Sequence, residues 1–185
     1  MCSELGVSRT PFKVALARLS QDKYIDIIPG RGFCLHRMSY EDVHSTYKVR
    51  VAIESFCAIN LASNADQLEN QKYIEKMNGI LASMEQALNH NRNIEVFSEF
   101  DLEFHKCLVN SAKNDEFDEL FEAYQYRISS LTAKNLIVSG RLIEACDEHR
   151  EILDAISRKE DPNCLYGLIQ THLEQLRDMV WSYMS

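Results

Sequence analysis

From Ser39 almost to the end of the chain, apolar residues return at every third or fourth position, segment after segment. That period suits an α-helix with one buried face. The first segment opens at Ser39-Tyr40-Glu41-Asp42, a cap with an acid three residues on. It runs to about Ser63, with Val43, Tyr47, Val51, Glu54 and Ala58 among its spaced positions. The second, about 66–89, sets Leu68, Ile74, Met77, Leu81, Met84 and Leu88 on one side. A third covers 94–112, and Asn114 is placed to cap a fourth over 115–137. After Ser139-Gly140 come 141–159 and, past the break at Asp161-Pro162, 163–184. Six helices joined by short connections make an all-α antiparallel bundle.

The residues before Ser39 follow a different pattern. In GVSRTPFKVALARL, Gly6 to Leu19, Ser8 stands at a helix start, Pro11 is tolerated in the first turn, and Val14, Ala15, Leu16 and Leu19 form an apolar stripe. Arg9, Lys13 and Arg18 lie mostly off that stripe. YIDIIPGRGFCLHRM then reads as two short strands about a Pro-Gly-Arg-Gly turn. So small a hairpin cannot stand alone and is expected to pack on the helix before it. The chain therefore divides into residues 1–37 and 38–185. Charge divides at the same place: residues 1–37 hold six Lys/Arg against three Asp/Glu, a net +3, and the remainder holds 14 against 25, a net −11. A small basic module beside an acidic body suits an anionic partner for the first part alone.

Composition excludes several classes. Hydrophobic residues make up 45% and charged residues 26%, and no apolar run reaches the roughly 20 residues that span a bilayer. The start MCSELG lacks the basic and apolar regions of a secretory signal, so a cytoplasmic protein with no membrane partner is expected. The six cysteines include no close pair of the kind that marks a zinc ribbon or a disulfide framework, and they read as reduced thiols.

Four polar residues interrupt the apolar stripes. Asp101 and His105 lie at i and i+4 among Phe97, Phe100, Phe104 and Leu108. His149 falls among Leu142, Cys146, Ile152, Leu153 and Ile156. His172 lies among Leu165, Leu168, Ile169, Leu173, Leu176, Met179 and Val180. One inward histidine is commonly a hydrogen-bonded core residue, but an inward aspartate needs a cation or several donors to offset its desolvation. One carboxylate and three imidazoles suit a borderline divalent metal such as zinc, nickel, cobalt or manganese. Cys146, one turn before His149, competes as a ligand and reads better as a small buried thiol. His36, His44 and His90 sit in polar surroundings and read as solvated.

GVSRTPFKVALARL followed by GRGF resembles the recognition helix and wing of the GntR family of winged-helix transcription factors. The helical part is similar to the FCD ligand-binding domain of the FadR subfamily. DLEFH (101–105), EHREI (148–152), His172-Leu173 and the opening Tyr47-Lys48-Val49-Arg50 with Glu54 carry that likeness. The resemblance implies a mainly α fold: a partial winged helix-turn-helix followed by the six-helix bundle. It implies a homodimeric regulator that binds a double-stranded DNA operator, with Ser8, Arg9, Thr10, Lys13, Arg31 and Gly32 as the DNA-contacting set. It implies a divalent metal on Asp101, His105, His149 and His172, and a small organic acid effector held by Arg50 and Arg127, although Arg50 can equally pair with Glu54 at i+4. Lys13 stands where the family has arginine, and lysine cannot make the bidentate fork to guanine. Family members carry a further helix and strand upstream. By that comparison the chain begins inside the second helix, leaving Leu5, Val14, Leu19 and Ile27 partly uncovered. Two alternatives accompany this reading. One is a metal-dependent hydrolase, disfavoured because no glutamate stands at a general-base spacing; the other is a truncated sensor that no longer binds DNA.

Overall fold

A computed structural model describes residues 6–89, 93–124 and 141–184. The chain forms two compact units, Met1–Ser39 and Tyr40–Ser185.

In the first unit, α1 (Arg9–Gln21) leads to β1 (Ile25–Ile28) and β2 (Gly32–Leu35), an antiparallel pair in the register Ile25↔Leu35 to Ile28↔Gly32. Ser8 occupies the N-cap position in extended backbone, but its hydroxyl makes no capping bond. The helix ends in a Schellman arrangement. Lys23 takes the left-handed conformation at φ 59, its N–H donates to Ser20 O, and Tyr24 N–H donates to Leu19 O at 2.8 Å. Gly30 at φ 73 and Gly32 at φ 116 make the hairpin turn that a residue with a Cβ would strain. β1 packs on α1, as its size requires, and buries Ile25. α1 itself buries no residue: Val14 is 60% exposed, and Leu19, Ile27 and Leu35 are also exposed. His36 is not simply solvated, since its Nδ1 lies 2.8 Å from Asp26 Oδ1.

The second unit holds α2 (Tyr40–Ser63), α3 (Leu68–Asn89), α4 (Ile94–Asn110), helical residues 115–124 (α5), α6 (Leu142–Arg158) and α7 (Pro162–Met184). Local chemistry sets the ends. Asn93 caps α4 through Val96 N–H, Asn114 accepts from Glu116 and Phe117 N–H, and Asp161 accepts from Asn163 and Cys164 N–H with Pro162 in the first turn of α7. α2 lies against α7, α4 and α6, while α3 lies against α4 and α6. Phe97, Phe104, Met77, Leu81, Ile152 and Leu165 are among the largest side chains wholly buried between them. Among the described side chains, the apolar stripes of this unit place the inner faces correctly except at Leu68, the first residue of α3, which is 71% exposed; Leu176, Met179 and Val180 lie outside them. The inner face of α3 begins instead at Asn70, whose amide donates to Asn64 O. His44 is also packed rather than solvated: it stacks between Tyr40 and Tyr47 and its Nδ1 is buried. His90 lies outside the described residues. No described helix is long and apolar enough to cross a membrane.

α2 departs most from a simple amphipathic helix. It buries Asp42, Thr46, Arg50, Glu54 and Ser55 beside its apolar residues. So much polar chemistry on an inward face needs partners, and those partners define the site.

Candidate metal centre

α4 places Asp101 and His105 one turn apart on its buried face, α6 adds His149, and α7 adds His172. All four are buried, and one ligand atom from each lies within 4.8 Å of all the others. His105 Nε2 is 3.1 Å from His149 Nε2 and 3.2 Å from His172 Nε2, and His149 Nε2 is 3.4 Å from Asp101 Oδ1. Phe104 closes one side, edge-on to the His149 ring with centroids 4.7 Å apart.

The opposite ring nitrogens fix the tautomers. His105 Nδ1 lies 2.7 Å from Glu54 Oε2, His149 Nδ1 lies 2.6 Å from Ala145 O, and His172 Nδ1 lies 2.7 Å from Glu148 Oε2. Carboxylate and carbonyl oxygens accept, so each Nδ1 carries a proton and each ring turns its Nε2 to the centre. Charging the rings is no remedy: burial first, then the neighbouring histidines, push His149 and His172 well below the usual histidine range. Three Nε2 atoms and a carboxylate thus meet in a buried site, and Asp101 Oδ2 is buried without a partner. A divalent ion bonded at about 2.1 Å sets neighbouring donors about 3.0 Å apart at right angles and about 3.4 Å apart at the tetrahedral angle. The observed 3.1, 3.2 and 3.4 Å fall in that span. Donor set, separations and the orphaned oxygen all fit a divalent cation.

Behind the rings stand two similar relays. Arg50 Nε donates to Glu54 Oε1 at 2.6 Å, and Glu54 holds His105. Arg141 donates to Glu148, and Glu148 holds His172. Burial raises the Glu54 pKa, but Arg50 and then His105 outweigh it and bring it to about 2. In Glu148 burial dominates, and its pKa is raised despite Arg141. Two glutamates accompany the ligands from behind the rings, where they orient imidazoles and do not stand as general bases. Glu54 was legible only as a partner of Arg50, and neither Glu148 in this role nor Arg141 was found. Glu148 adjoins His149 in sequence yet serves His172 on another helix, and periodicity carries no signal for that.

Of the residues singled out in the sequence, Asp101, His105, His149 and His172 are brought together. Arg50 stands behind His105, paired with Glu54 and with Nη2 buried and unpartnered. Arg127 lies outside the described residues. Cys146 is buried but does not join the cluster; burial raises its pKa to about 11. Ser8, Arg9, Thr10, Lys13, Arg31 and Gly32 are all exposed in the first unit.

The FCD domain model matches residues 45–175. Over 159 residues the chain is 24% identical to the uncharacterized HTH-type transcriptional regulator YdhC of Bacillus subtilis (strain 168), a match covering 86% of this chain and 69% of that protein. Over 109 residues it is 31% identical to an uncharacterized HTH-type transcriptional regulator from the TAR-I ttuE-ttuC' intergenic region of Agrobacterium vitis, covering 59% of this chain and 63% of that protein. The solved structure of E. coli McbR/YncC has a similar fold, with a TM-score of 0.77 at 16% identity over 100% of this chain and 85% of that one.

Proposed function

We infer what this chain does from the family it belongs to, the FCD domain family, and from the four side chains its helices bring together. It is a metabolite-responsive transcription regulator and not an enzyme. The first unit, residues 1–37 with its connector, is the DNA-binding part of a winged helix, and residues 38–185 form the ligand-binding and dimerising part. As a homodimer in the cytoplasm it reads two half-sites of a DNA operator about one helical turn, roughly 34 Å, apart. Arg9, Thr10 and Lys13 on α1 face base edges, with Ser8 at the helix start, and Arg31-Gly32 meet the backbone.

Asp101, His105, His149 and His172 hold a divalent metal, zinc, nickel or manganese. When bound, that metal supplies a positive centre with coordination positions open to a carboxylate. Glu54 and Glu148 keep His105 and His172 in the Nδ1–H tautomer, and Phe104 keeps bulk water from His149. Arg50 spends only Nε on Glu54, so Nη2 is left to clamp a small organic acid. The observation that carries this reading is the convergence of three imidazole Nε2 atoms and a carboxylate in a buried site.

The response travels through α2. This helix begins at Tyr40, the residue after the first unit, and it carries Arg50 and Glu54. Tyr47 on the same helix donates to Glu174 Oε1 on α7 at 2.9 Å, two residues from His172. An acid drawn to Arg50 and the histidines therefore acts on the α2–α7 contact and, through the connector, on the spacing of the reading heads.

The test is operator binding by fluorescence anisotropy with metal-loaded and chelator-stripped protein, with and without a short carboxylate such as succinate. The acid is expected to change the operator Kd of the loaded protein only. An equal change in stripped protein would contradict the reading.

A further inference from the structure

Serines and threonines inside helices ordinarily return the hydroxyl to the carbonyl one turn back. Ser63, Ser83, Ser98 and Ser157 do so here, onto Ile59, Gly79, Ile94 and Leu153. Thr46 and Ser55, both on α2, do not. Thr46 is 1% exposed, and its Oγ1 has no hydrogen-bond partner. Valine would fill the same volume without stranding a donor, so the hydroxyl needs another explanation.

Its place on α2 suggests one. Thr46, Arg50 and Glu54 follow at four-residue steps, each about 6 Å along the axis and about 40° round from the last. At one end of this row Glu54 holds His105; in the middle Arg50 leaves Nη2 buried and unpartnered; one turn further the Thr46 hydroxyl is unpartnered too. Two buried donors without acceptors thus line one side of α2, leading away from the histidine cluster.

We propose that Thr46 determines effector specificity, its hydroxyl donating to a second oxygen of an acid whose carboxylate lies between the histidine cluster and Arg50. This rests on reading that cluster and Arg50 as a carboxylate site. The spacing of one helical turn, about 6 Å, sets the ligand class: a short carboxylic acid bearing an oxygen function three or four bonds from the carboxylate carbon. A simple acid of the same length leaves the hydroxyl stranded and binds less well, as sites built to hydrogen-bond a ligand group discriminate against analogues lacking it.

The matched probes are butanoate and 4-hydroxybutanoate, titrated calorimetrically into metal-loaded wild type, Thr46→Val and Thr46→Ser. Wild type and Thr46→Ser are expected to prefer the hydroxy acid by roughly tenfold, the yield of one net hydrogen bond. Thr46→Val is expected to bind both equally, with butanoate unchanged to within about twofold and a ligand-free Tm no lower than wild type. No preference in wild type, or the same preference in Thr46→Val, overturns the proposal. So does a lower ligand-free Tm in Thr46→Val with butanoate binding weakened as well, because the hydroxyl would then be structural. Failure of the underlying carboxylate reading looks different: neither acid binds loaded wild type, or both bind equally well after chelation.

Discussion

Glu54 has no exposed surface, yet both of its oxygens are engaged, Oε1 by Arg50 and Oε2 by His105. Removing its charge while keeping its shape tests both roles. Glu54→Gln leaves the Arg50 guanidinium buried without a counter-ion, which is expected to lower stability by about 3–5 kcal/mol in chemical denaturation. It also loosens the hold on His105, so metal affinity measured by competition with a chelator is expected to fall by roughly 10–100-fold. Arg50→Lys keeps the charge but loses the fork, and is expected to weaken carboxylate binding with little change in metal affinity. The histidines make a prediction about pH. His149 and His172 have folded pKa values well below the unfolded one, mainly through burial, so the unfolded chain binds more protons as pH falls below about 6.5. Each then contributes a loss of up to about 1.4 kcal/mol per pH unit, and stability is retained above that range. The Tm of stripped protein should fall steadily from pH 7 to pH 5; a flat profile would mean these rings are not buried and neutral.

The helices show what the sequence could and could not announce. Apolar periodicity located α2, α3, α4, α6, α7 and the start of α5 to within a few residues, because burial of one face is a property of each helix alone; the end of the expected 115–137 helix lies outside the described residues. It also located Asp101, His105, His149 and His172, since a polar residue on such a face stands out. The partners behind the rings did not stand out. Glu54 and Glu148 meet their histidines only through the packing of α2 on α4 and of α6 on α7, Arg141 reaches Glu148 from the start of α6, and Thr46 looks like any helical threonine until its hydroxyl is seen to lack the usual carbonyl. Leu68 was misjudged because residues at element ends answer to local geometry more than to period, whereas Ser8 holds the N-cap position it was given, without a capping bond from its hydroxyl. For α1 and the hairpin turn, the proposal gives the exposed arginines different work. Arg9→Ala is expected to lose roughly 1–3 kcal/mol on the specific operator and little on random DNA, whereas Arg31→Ala weakens both alike and lowers the salt slope. Equal losses for Arg9→Ala on both DNAs would remove it from base reading.

At the scale of the molecule, two opposite charges share one chain, +3 on residues 1–37 and −11 on the rest. On the proposed reading, a DNA-facing unit gains from its positive charge and an acidic second unit keeps the nonspecific grip of the whole weak, so that recognition would depend on specific contacts that a ligand can modulate. On the same reading, the positive centre that would draw a carboxylate into this acidic unit is a divalent metal on Asp101, His105, His149 and His172, and everything proposed for the effector rests on it. The most direct measurement is therefore the metal content of protein purified without chelator, by inductively coupled plasma mass spectrometry, paired with the Tm before and after stripping. About one divalent ion per chain is expected, with a lower Tm on stripping that zinc, nickel or manganese restores, because the ion binds only the folded site. His172→Ala is expected to lose the ion and His36→Ala to keep it. Protein that is metal-free in repeated preparations and shows no thermal shift with any of the three ions would contradict the metal centre.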